Sequence, residues 1–437
     1  MNLQEQFITA RNGNFFLGKE KIILRGFGLG SWMNIEHFMI GIPGTERMIR
    51  KAFEEVYGKE KAEKFFDNFI NNFFTEDDAS FLKTLGINCL RLALNYRRFE
   101  DDSKPGLYIE KSFKVIDRVI KICKKNNIRV ILDMHTVPGG QNPDWHSDND
   151  TGVVLFWRDK SLRDRTISLW KEFALRYKKE TGVIGYDLVN EPCLVDDIDG
   201  FNDFFLRVCE EILKIDSNHL LFLEGDNWAT DFSIFRSLAG KNRAISFHFY
   251  PGHHVDIEEN SKSRKKKIHE YIKRFTDIRD KTGMALWCGE TGSRLSKDMI
   301  TKQKALIEDC LDVLEKEEIS WTIWAYKDAQ AMSMVFPKNS TLWMKFKKEL
   351  GLSDIIKNDR KIADSILNEL KIKDPLKYIV SFRILALLNF IHVEKILKPL
   401  LKKTPWKTVS KFPLSFLFKN CEFWQKIAVL IKKYTFK

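Results

Sequence analysis

The chain has 437 residues, of which 44% are hydrophobic and 30% charged, a composition that excludes a largely disordered protein. Its net charge of +12 lies entirely in residues 371–437, which hold 15 Lys+Arg against 3 Asp+Glu. A basic surface for nucleic acid is therefore not expected in residues 1–370. Seven scattered cysteines without a CxxC pair predict reduced thiols, and the polar start predicts no signal peptide, so we expect a cytoplasmic protein.

Eight short apolar runs, rich in β-branched residues, predict β-strands along the chain. They lie at 22–29, 89–94, 129–135, 183–190, 219–224, 244–250, 284–290 and 320–326. Segments of helical period separate them, for example 110–126 and 160–180. Residues 11–21 carry turn residues between apolar ones and predict a hairpin.

The apolar runs are continuous rather than alternating, which indicates strands covered on both faces, as in a parallel sheet surrounded by helices. Eight such units predict an α/β fold, a (β/α)8 TIM barrel within residues 1–370. A doubly wound open sheet is the rival fold. No GxGxxG or GxxxxGK motif follows a strand, so the nucleotide-binding form of that rival lacks its main signature.

Polar side chains stand at the ends of the predicted strands. In a barrel of this kind the carboxyl ends of all strands open on one face, so these side chains are expected to converge there. Any one of them alone fits a solvated loop, but together they predict an active site. No metal-ligand spacing is present among them, and we predict no metal and no cofactor. The set comprises Arg91, His135, Asn190, Glu191, Glu224, His248, Tyr250, Glu290 and Trp324.

Two of these residues, Glu191 after strand four and Glu290 in strand seven, suit glycosidic bond cleavage, which needs an acid and a nucleophile. The motifs NEP (190–192), CGETG (288–292), LDMH (132–135) and FHFY (247–250) resemble glycoside hydrolase family 5, and the similarity spans about residues 20–350. The resemblance implies a retaining β-glycosidase. Its substrate would be a β-glucan, an oligosaccharide or a glycolipid, hydrolysed by double displacement.

The resemblance also implies roles for individual residues. Glu191 would protonate the leaving oxygen, Glu290 would attack the anomeric carbon, and Asn190 would bond the sugar 2-hydroxyl. We expect Arg91 to keep Glu290 ionised, and we expect a partner-poor or like-charged setting to keep Glu191 protonated. Further substrate-binding or orienting residues implied by the resemblance are Arg91, His135, His248, Tyr250 and Trp324.

The stretch RGFGLGSWMNIEHF (25–38) resembles the exo-β-1,3-glucanase-like branch of the family. In that branch a glutamate near the first strand binds the sugar at the cleavage subsite, and the resemblance gives this role to Glu36. The chain departs from the branch at His37, where proline is usual, and at Thr136, where glycine or alanine is frequent. The loop 141–157 predicts either further sugar subsites or a plain solvated loop.

The segment 371–437 combines basic and aromatic residues and predicts a helical extension. Two stretches, 383–393 and 423–434, fit amphipathic helices that are too short or interrupted to span a membrane. They suit packing on the barrel, contact with an anionic membrane surface, or binding of another partner. These three alternatives remain open at the level of sequence.

Two other functions fit the same residues. A transglycosylase would use the same glycosyl-enzyme intermediate with a sugar as acceptor, and product analysis separates it from a hydrolase. A non-catalytic carbohydrate-binding barrel is the other alternative, but it would have little need for both glutamates together with Arg91 and Tyr250. No nucleic-acid partner is expected.

Overall fold

The fold is a closed barrel of eight parallel strands, seen in a computed structural model that describes residues 6–373 and 376–436. The strands follow one another around the barrel in chain order, and the eighth pairs with the first to close it. The predicted (β/α)8 barrel is therefore confirmed. The strands are β1 (Arg25–Met33), β2 (Cys89–Asn95), β3 (Arg129–Thr136), β4 (Val183–Asp187), β5 (Leu220–Leu223), β6 (Arg243–His248), β7 (Ala285–Thr291) and β8 (Ser320–Ile323).

Helices connect the strands and cover the outside of the barrel. β4 ends at Asp187, three residues before the end of the predicted run, so that Asn190 and Glu191 lie on the loop that follows it. The longer helices are Glu46–Tyr57, Lys59–Phe73, Glu76–Thr84, Glu110–Lys125, Lys160–Tyr177, Ile198–Leu213, Ser261–Thr282, Ile300–Lys316, Leu342–Leu350, Leu352–Glu369, Leu376–His392 and Gln425–Thr435; short ones are His37–Ile40, Asp226–Ala229, Lys398–Lys403 and Trp406–Val409.

Three short antiparallel strands, Ile8–Arg11, Asn14–Leu17 and Glu20–Ile22, close the amino-terminal end of the barrel. They contain the hairpin predicted for residues 11–21. Phe15 points into the barrel and its ring lies 6.2 Å from that of Phe222 on β5. Because this end is filled with apolar side chains, polar groups find room only at the opposite end, where the strands finish.

Glycines in β1 make room for a tryptophan that follows β8. A Cβ atom at either Gly28 or Gly30 would lie 2.4 Å from the ring of Trp324, which is closer than packed atoms approach. The alternating glycines of RGFGLG thus permit the Trp324 ring to lie against the strand. The ring then faces the open end of the barrel.

The carboxyl-terminal segment packs on the barrel. Leu397, Leu401 and Phe416 are fully buried. The ammonium group of Lys327, which is also fully buried, donates to the backbone oxygens of Phe73 at 2.8 Å and Phe416 at 2.9 Å. Residues of the segment thereby complete the hydrogen bonds of a buried cation in the barrel.

One helix of this segment is longer than the sequence suggested. The stretch predicted at 383–393 belongs to a helix that runs through 28 residues, from Leu376 to Lys403, with a π-helical turn at Val393–Leu397. Its apolar window has a mean hydropathy of 1.5 and is 17% buried, so by length and composition alone it could cross a membrane. The stretch is therefore longer than expected, because the helix continues on both sides of it, and the π-helical turn interrupts its regular geometry.

Candidate active site

The strand ends form one cleft at the carboxyl face of the barrel, with a volume of about 460 Å³. This is an ordinary size for a small-molecule site. Glu191 and Glu290 lie in its wall, together with His135, Tyr250 and Trp324. Ile356 and Arg360, from the helix Leu352–Glu369, also line it. A helix that follows the eight repeating units therefore contributes to the wall of the cleft.

The two glutamates face each other across this cleft. One oxygen of Glu191, one oxygen of Glu290 and a ring nitrogen of His248 all lie within 4.8 Å of one another. Carboxyl groups about 5–5.5 Å apart are typical of retaining glycosidases, whereas inverting enzymes need about 6.5–9.5 Å to admit a water. The separation therefore supports direct attack on the anomeric carbon by one carboxylate, while the other carboxyl group transfers the proton.

Glu290 is held by a cation and a hydroxyl. Arg91 Nη1 donates to its Oε1 at 2.5 Å, and the Tyr250 hydroxyl donates to its Oε2 at 2.6 Å. The two donors fix the orientation of the carboxylate in the cleft. This is the environment that a nucleophile requires.

Arg91 is fully buried and lies among four carboxylates. Besides Glu290, its guanidinium contacts Asp187 at 2.9 Å, Asp133 at 3.2 Å and Glu224 at 3.2 Å. Burial raises the pKa of Asp133 to about 8, even though Arg91 acts in the opposite direction. Protonation of such acids offsets part of the excess negative charge around the single guanidinium.

Glu191 lies between two histidines. His248 Nδ1 is 2.7 Å from its Oε1, and His146 Nε2 is 3.2 Å from its Oε2. Burial by itself would raise the pKa of Glu191, but hydrogen bonds from the two histidines outweigh it and hold that pKa well below its usual range. Its backbone is in the left-handed region at φ 47°, and its N–H donates to Glu224 at 2.6 Å.

This environment differs from the partner-poor setting expected for Glu191. Burial disfavours a charged His146, but Glu191 and Asp144 outweigh it and raise the pKa of His146 to about 9. These pKa shifts place the proton on the histidines and leave Glu191 as the carboxylate. Asn142 Nδ2 lies 3.0 Å from His146 Nε2, so a neutral His146 can accept there, whereas a protonated one donates to Glu191.

Asn190 and His135 form the floor beside Glu191. The side-chain oxygen of Asn190 accepts from Arg91 Nη2 at 2.8 Å, which leaves its amide nitrogen 3.4 Å from His135 Nε2. The His135 ring stacks on Trp324 with centroids 5.2 Å apart and planes 1° apart. Three of the predicted substrate-binding residues are therefore brought together, namely Asn190, His135 and Trp324.

Comparison with known proteins agrees with this geometry. The family model described as Cellulase (glycosyl hydrolase family 5) matches residues 54–330. The chain belongs to glycosyl hydrolase family 5. It is an O-glycosyl hydrolase whose substrate is a carbohydrate. With the retaining mechanism typical of the family, it is a retaining β-glycosidase.

Relatives extend over most of this glycosyl hydrolase. A beta-xylosidase of Phanerodontia chrysosporium is 39% identical over 356 residues, which is 77% of this chain and 72% of that protein. Endoglucanase C of Acetivibrio thermocellus is 28% identical over 62% of this chain and 87% of its own length. The crystal structure of Thermotoga maritima Cel5A with mannotriose has a TM-score of 0.52 and 16% identity, covering 70% of this chain and 90% of that one. That last similarity concerns the fold.

Glu36 and His37 stand at the far rim of the hydrolase cleft. Glu36 Oε1 is buried without a hydrogen-bond partner and lies 3.9 Å from His135 Nε2. Burial raises the pKa of Glu36 well above its usual range. His37 lies against Trp145, with ring centroids 4.3 Å apart, and its Nδ1 is also unpaired. A sugar hydroxyl is the kind of group that satisfies such buried atoms.

Sequence reasoning missed several residues of this site. Asp133 and Asp187 were not selected, although an aspartate inside an apolar strand is itself an indication of a buried ionic partner. The sequence predicts no definite role for the loop that carries His146, whereas in the structure His146 contacts Glu191. Ile356 and Arg360 carried no signal, since they come from a helix outside the eight repeating units.

Glu191, His248 and Glu290 also form the candidate metal cluster among the described residues. Both oxygens of Glu290 already accept hydrogen bonds from Arg91 and Tyr250. A divalent cation there would lie beside a buried guanidinium, whose repulsion opposes binding. These side chains suit proton transfer and formation of a glycosyl ester better than they suit a metal ion.

Proposed function

We propose that this hydrolase cleaves the β-glycosidic bond of a glucose- or xylose-configured substrate, such as a β-glucan, its oligosaccharides or a glycolipid. The observation that carries the proposal is the pair Glu191 and Glu290, with one oxygen of each within 4.8 Å of the other in the same cleft. Support for the sugar comes from the relatives, which are named a beta-xylosidase and an endoglucanase.

In the first step, Glu290 attacks the anomeric carbon and the glycosidic bond breaks. Glu191 gives its proton to the leaving oxygen, and a glycosyl-enzyme ester forms at Glu290. A sugar in the cleft excludes water, which disfavours a carboxylate and imidazolium pair relative to a carboxylic acid and neutral imidazole. Substrate binding therefore moves a proton from the histidines to Glu191, where the reaction needs it.

In the second step, water takes the place of the leaving group. Glu191, now a carboxylate, removes a proton from this water, which attacks the anomeric carbon and releases Glu290. The sugar leaves with its original β configuration. His146 and His248 stabilise the carboxylate form of Glu191 in this half of the reaction.

Binding of the sugar involves the floor and rim of the cleft. Asn190 is oriented by Arg91 so that its amide donates toward the sugar, which suits a contact to the 2-hydroxyl. Trp324 presents a flat apolar face, as sugar rings require. Glu36 and His135 offer polar atoms to the remaining hydroxyls.

The proposal is tested by the stereochemistry and by trapping. We expect proton NMR of aryl β-glucoside or β-xyloside hydrolysis to show the β anomer first. A 2-deoxy-2-fluoro glycoside with a good leaving group should label the enzyme, and peptide mass spectrometry should find the sugar on Glu290. An α anomer as first product, or a label on another residue, would overturn the mechanism.

We also propose that the helix Leu376–Lys403 rests on an anionic membrane surface. We call it the carboxyl-terminal helix. Leu376, Leu387 and Phe390 are exposed on this helix, and the basic residues Arg383 and Lys395 are exposed beside them. Apolar side chains flanked by basic ones suit the boundary of an anionic leaflet. The ties of the helix to the barrel favour attachment over insertion across the bilayer.

Flotation with phosphatidylserine vesicles tests the membrane contact. Point variants are preferable to truncation, because the segment is part of the buried core. The double variant Leu387→Ser, Phe390→Ser should float less than wild type. Leu107→Ser, which changes an equally exposed leucine on the barrel, is the control and should float like wild type. Equal flotation of all three proteins would refute the contact.

A further inference from the structure

An aromatic wall adjoins the acid/base glutamate. His146, which contacts Glu191, has its ring 5.5 Å from that of Trp228. Trp228 in turn lies 6.1 Å from the ring of Phe382 and donates its indole N–H to the Tyr378 hydroxyl at 2.8 Å. We use the term aromatic wall for Trp228, Tyr378 and Phe382. Two of its three members come from the carboxyl-terminal helix.

The backbone of Trp228 is held in an unusual conformation. Asn227, Trp228 and Ala229 all have positive φ, at 52°, 61° and 59°. Left-handed backbone is unfavourable for residues with a Cβ atom, and a run of three persists only where the surroundings hold it. The Trp228 N–H donates to the oxygen of Pro192 at 3.0 Å, so the tryptophan is tied directly to the residue after Glu191.

The carboxyl-terminal helix is also fitted closely to this place. A Cβ atom at Gly152 would lie 2.8 Å from the backbone of Phe382 and Arg383, so the glycine permits the helix to touch the loop that carries His146. Tyr378 and Phe382 lie one turn apart, with ring centroids separated by 5.1 Å. The helix thus presents a fixed pair of rings beside the cleft.

The chemistry of the reaction determines what this wall faces. Glu191 protonates the oxygen that departs with the leaving group, and Glu290 bonds to the sugar that stays. His248 lies between the two carboxyls, whereas His146 and Trp228 lie on the other side of Glu191. Groups on that side meet the leaving group.

We propose that Trp228, Tyr378 and Phe382 bind the leaving group and that they select an apolar aglycone, of the kind that a glycolipid carries. The inference rests on the proposed function and specifies its substrate. The wall offers ring faces, and its indole N–H and phenol hydroxyl are already hydrogen-bonded to each other. Burial of a lipid chain against this surface is favourable because it removes apolar area from water. A sugar in the same place would lack hydrogen-bond partners for most of its hydroxyls.

A series of n-alkyl β-glucosides from methyl to octyl, kept below micelle-forming concentrations, tests the inference. Every member has a leaving group of similar basicity, so only apolar contact varies. Full burial of one methylene corresponds to roughly a 4-fold effect, and half burial to about 2-fold. We expect kcat/KM of the wild type to rise about 2-fold per methylene, or on the order of 100-fold over the series. Cellobiose and laminaribiose, with sugar leaving groups, should be poorer than octyl glucoside.

Variants connect this slope to the wall. Trp228→Ala and Phe382→Ala should lower kcat/KM for octyl glucoside more than for methyl glucoside, and thereby flatten the dependence on chain length. Phe423→Ala removes an exposed aromatic side chain that packs on Phe81 of the barrel exterior, and it should keep the wild-type slope. If one variant does not fold, the other still gives the measurement.

Three results would overturn the inference: a flat series in the wild type, an equal loss on methyl and octyl glucosides in the variants, or faster cleavage of the disaccharides. Failure of the proposed function is distinguishable, since it would appear as no hydrolysis or as an inverted product with every substrate. The wild type could hydrolyse methyl glucoside with retention while its kcat/KM does not depend on chain length. This result would support the proposed function and refute the selection of an apolar aglycone.

Discussion

Replacing His146 by asparagine removes one of the two histidines that hold Glu191. The variant loses the contact between His146 Nε2 and Glu191 Oε2 at 3.2 Å, while the contact from His248 at 2.7 Å stays. Asparagine is smaller and has no charge, so the neighbouring Asp144 also loses its cationic partner. We expect both the native stability and the acid/base step to change with pH in a defined direction.

The size of the stability effect follows from the proton that His146 holds. Its pKa lies at about 9 in the folded protein, against 6.5 for a free histidine. A group whose pKa is raised on folding stabilises the native state fully below 6.5 and loses this contribution as pH rises through about 9. Two and a half units correspond to about 3 kcal/mol, since each unit is worth about 1.4 kcal/mol.

Urea unfolding measures this contribution. The difference in free energy of unfolding between wild type and His146→Asn should shrink by about 3 kcal/mol between pH 6.5 and about pH 9. His269→Asn is the matched control, because His269 is 48% exposed and pairs only with Glu317 on the surface. This control measures how loss of a surface histidine changes the free energy of unfolding over the same range.

Activity gives a second readout. Loss of a hydrogen bond to a charged group costs about 1.5–3 kcal/mol, so kcat/KM for an alkyl glycoside should fall roughly 10- to 100-fold. The wild type should lose activity as pH rises through about 9, and the variant should lack this transition. Two results would refute the placement of a proton on His146. One is a difference in free energy of unfolding that stays constant from pH 6.5 to about pH 9, and the other is a variant that loses activity at high pH as the wild type does.

Three further outcomes are expected. Glu191→Gln should lower kcat/KM on alkyl glycosides by about 10² to 10⁴-fold and much less on dinitrophenyl glycosides, which need no proton; equal losses in a steady-state assay would contradict its role as acid. Tyr250→Phe removes the donor at 2.6 Å from Glu290, and should cost roughly 10- to 100-fold in kcat/KM on an aryl glycoside; an unchanged value would exclude a role for the hydroxyl. Lys327→Met leaves Asp78 buried without its cation, so urea unfolding should show a loss of about 3–5 kcal/mol, and a stable variant would contradict the buried pair.

The residues of the candidate site could be anticipated because they follow a repeating rule. Every strand of a parallel barrel ends at the same face, so Asn190, Glu191, His248 and Glu290 converge whatever the loops do. What could not be anticipated is the state of the proton on Glu191. His146 reaches that carboxylate through a loop without periodicity, and no local pattern specifies where such a loop turns.

The amino-acid sequence by itself determined the eight-stranded barrel and the meeting of the two carboxylates, since continuous apolar runs and strand-end polar residues are local features. Only the tertiary structure decided that the carboxyl-terminal helix packs against Trp228 and the loop that carries His146, beside the cleft. That contact joins residues 150 apart in the chain, Trp228 and Tyr378, and depends on Gly152 allowing the helix to approach. Long-range packing of this kind follows from the shape of both surfaces at once, which hydrophobic periodicity does not describe.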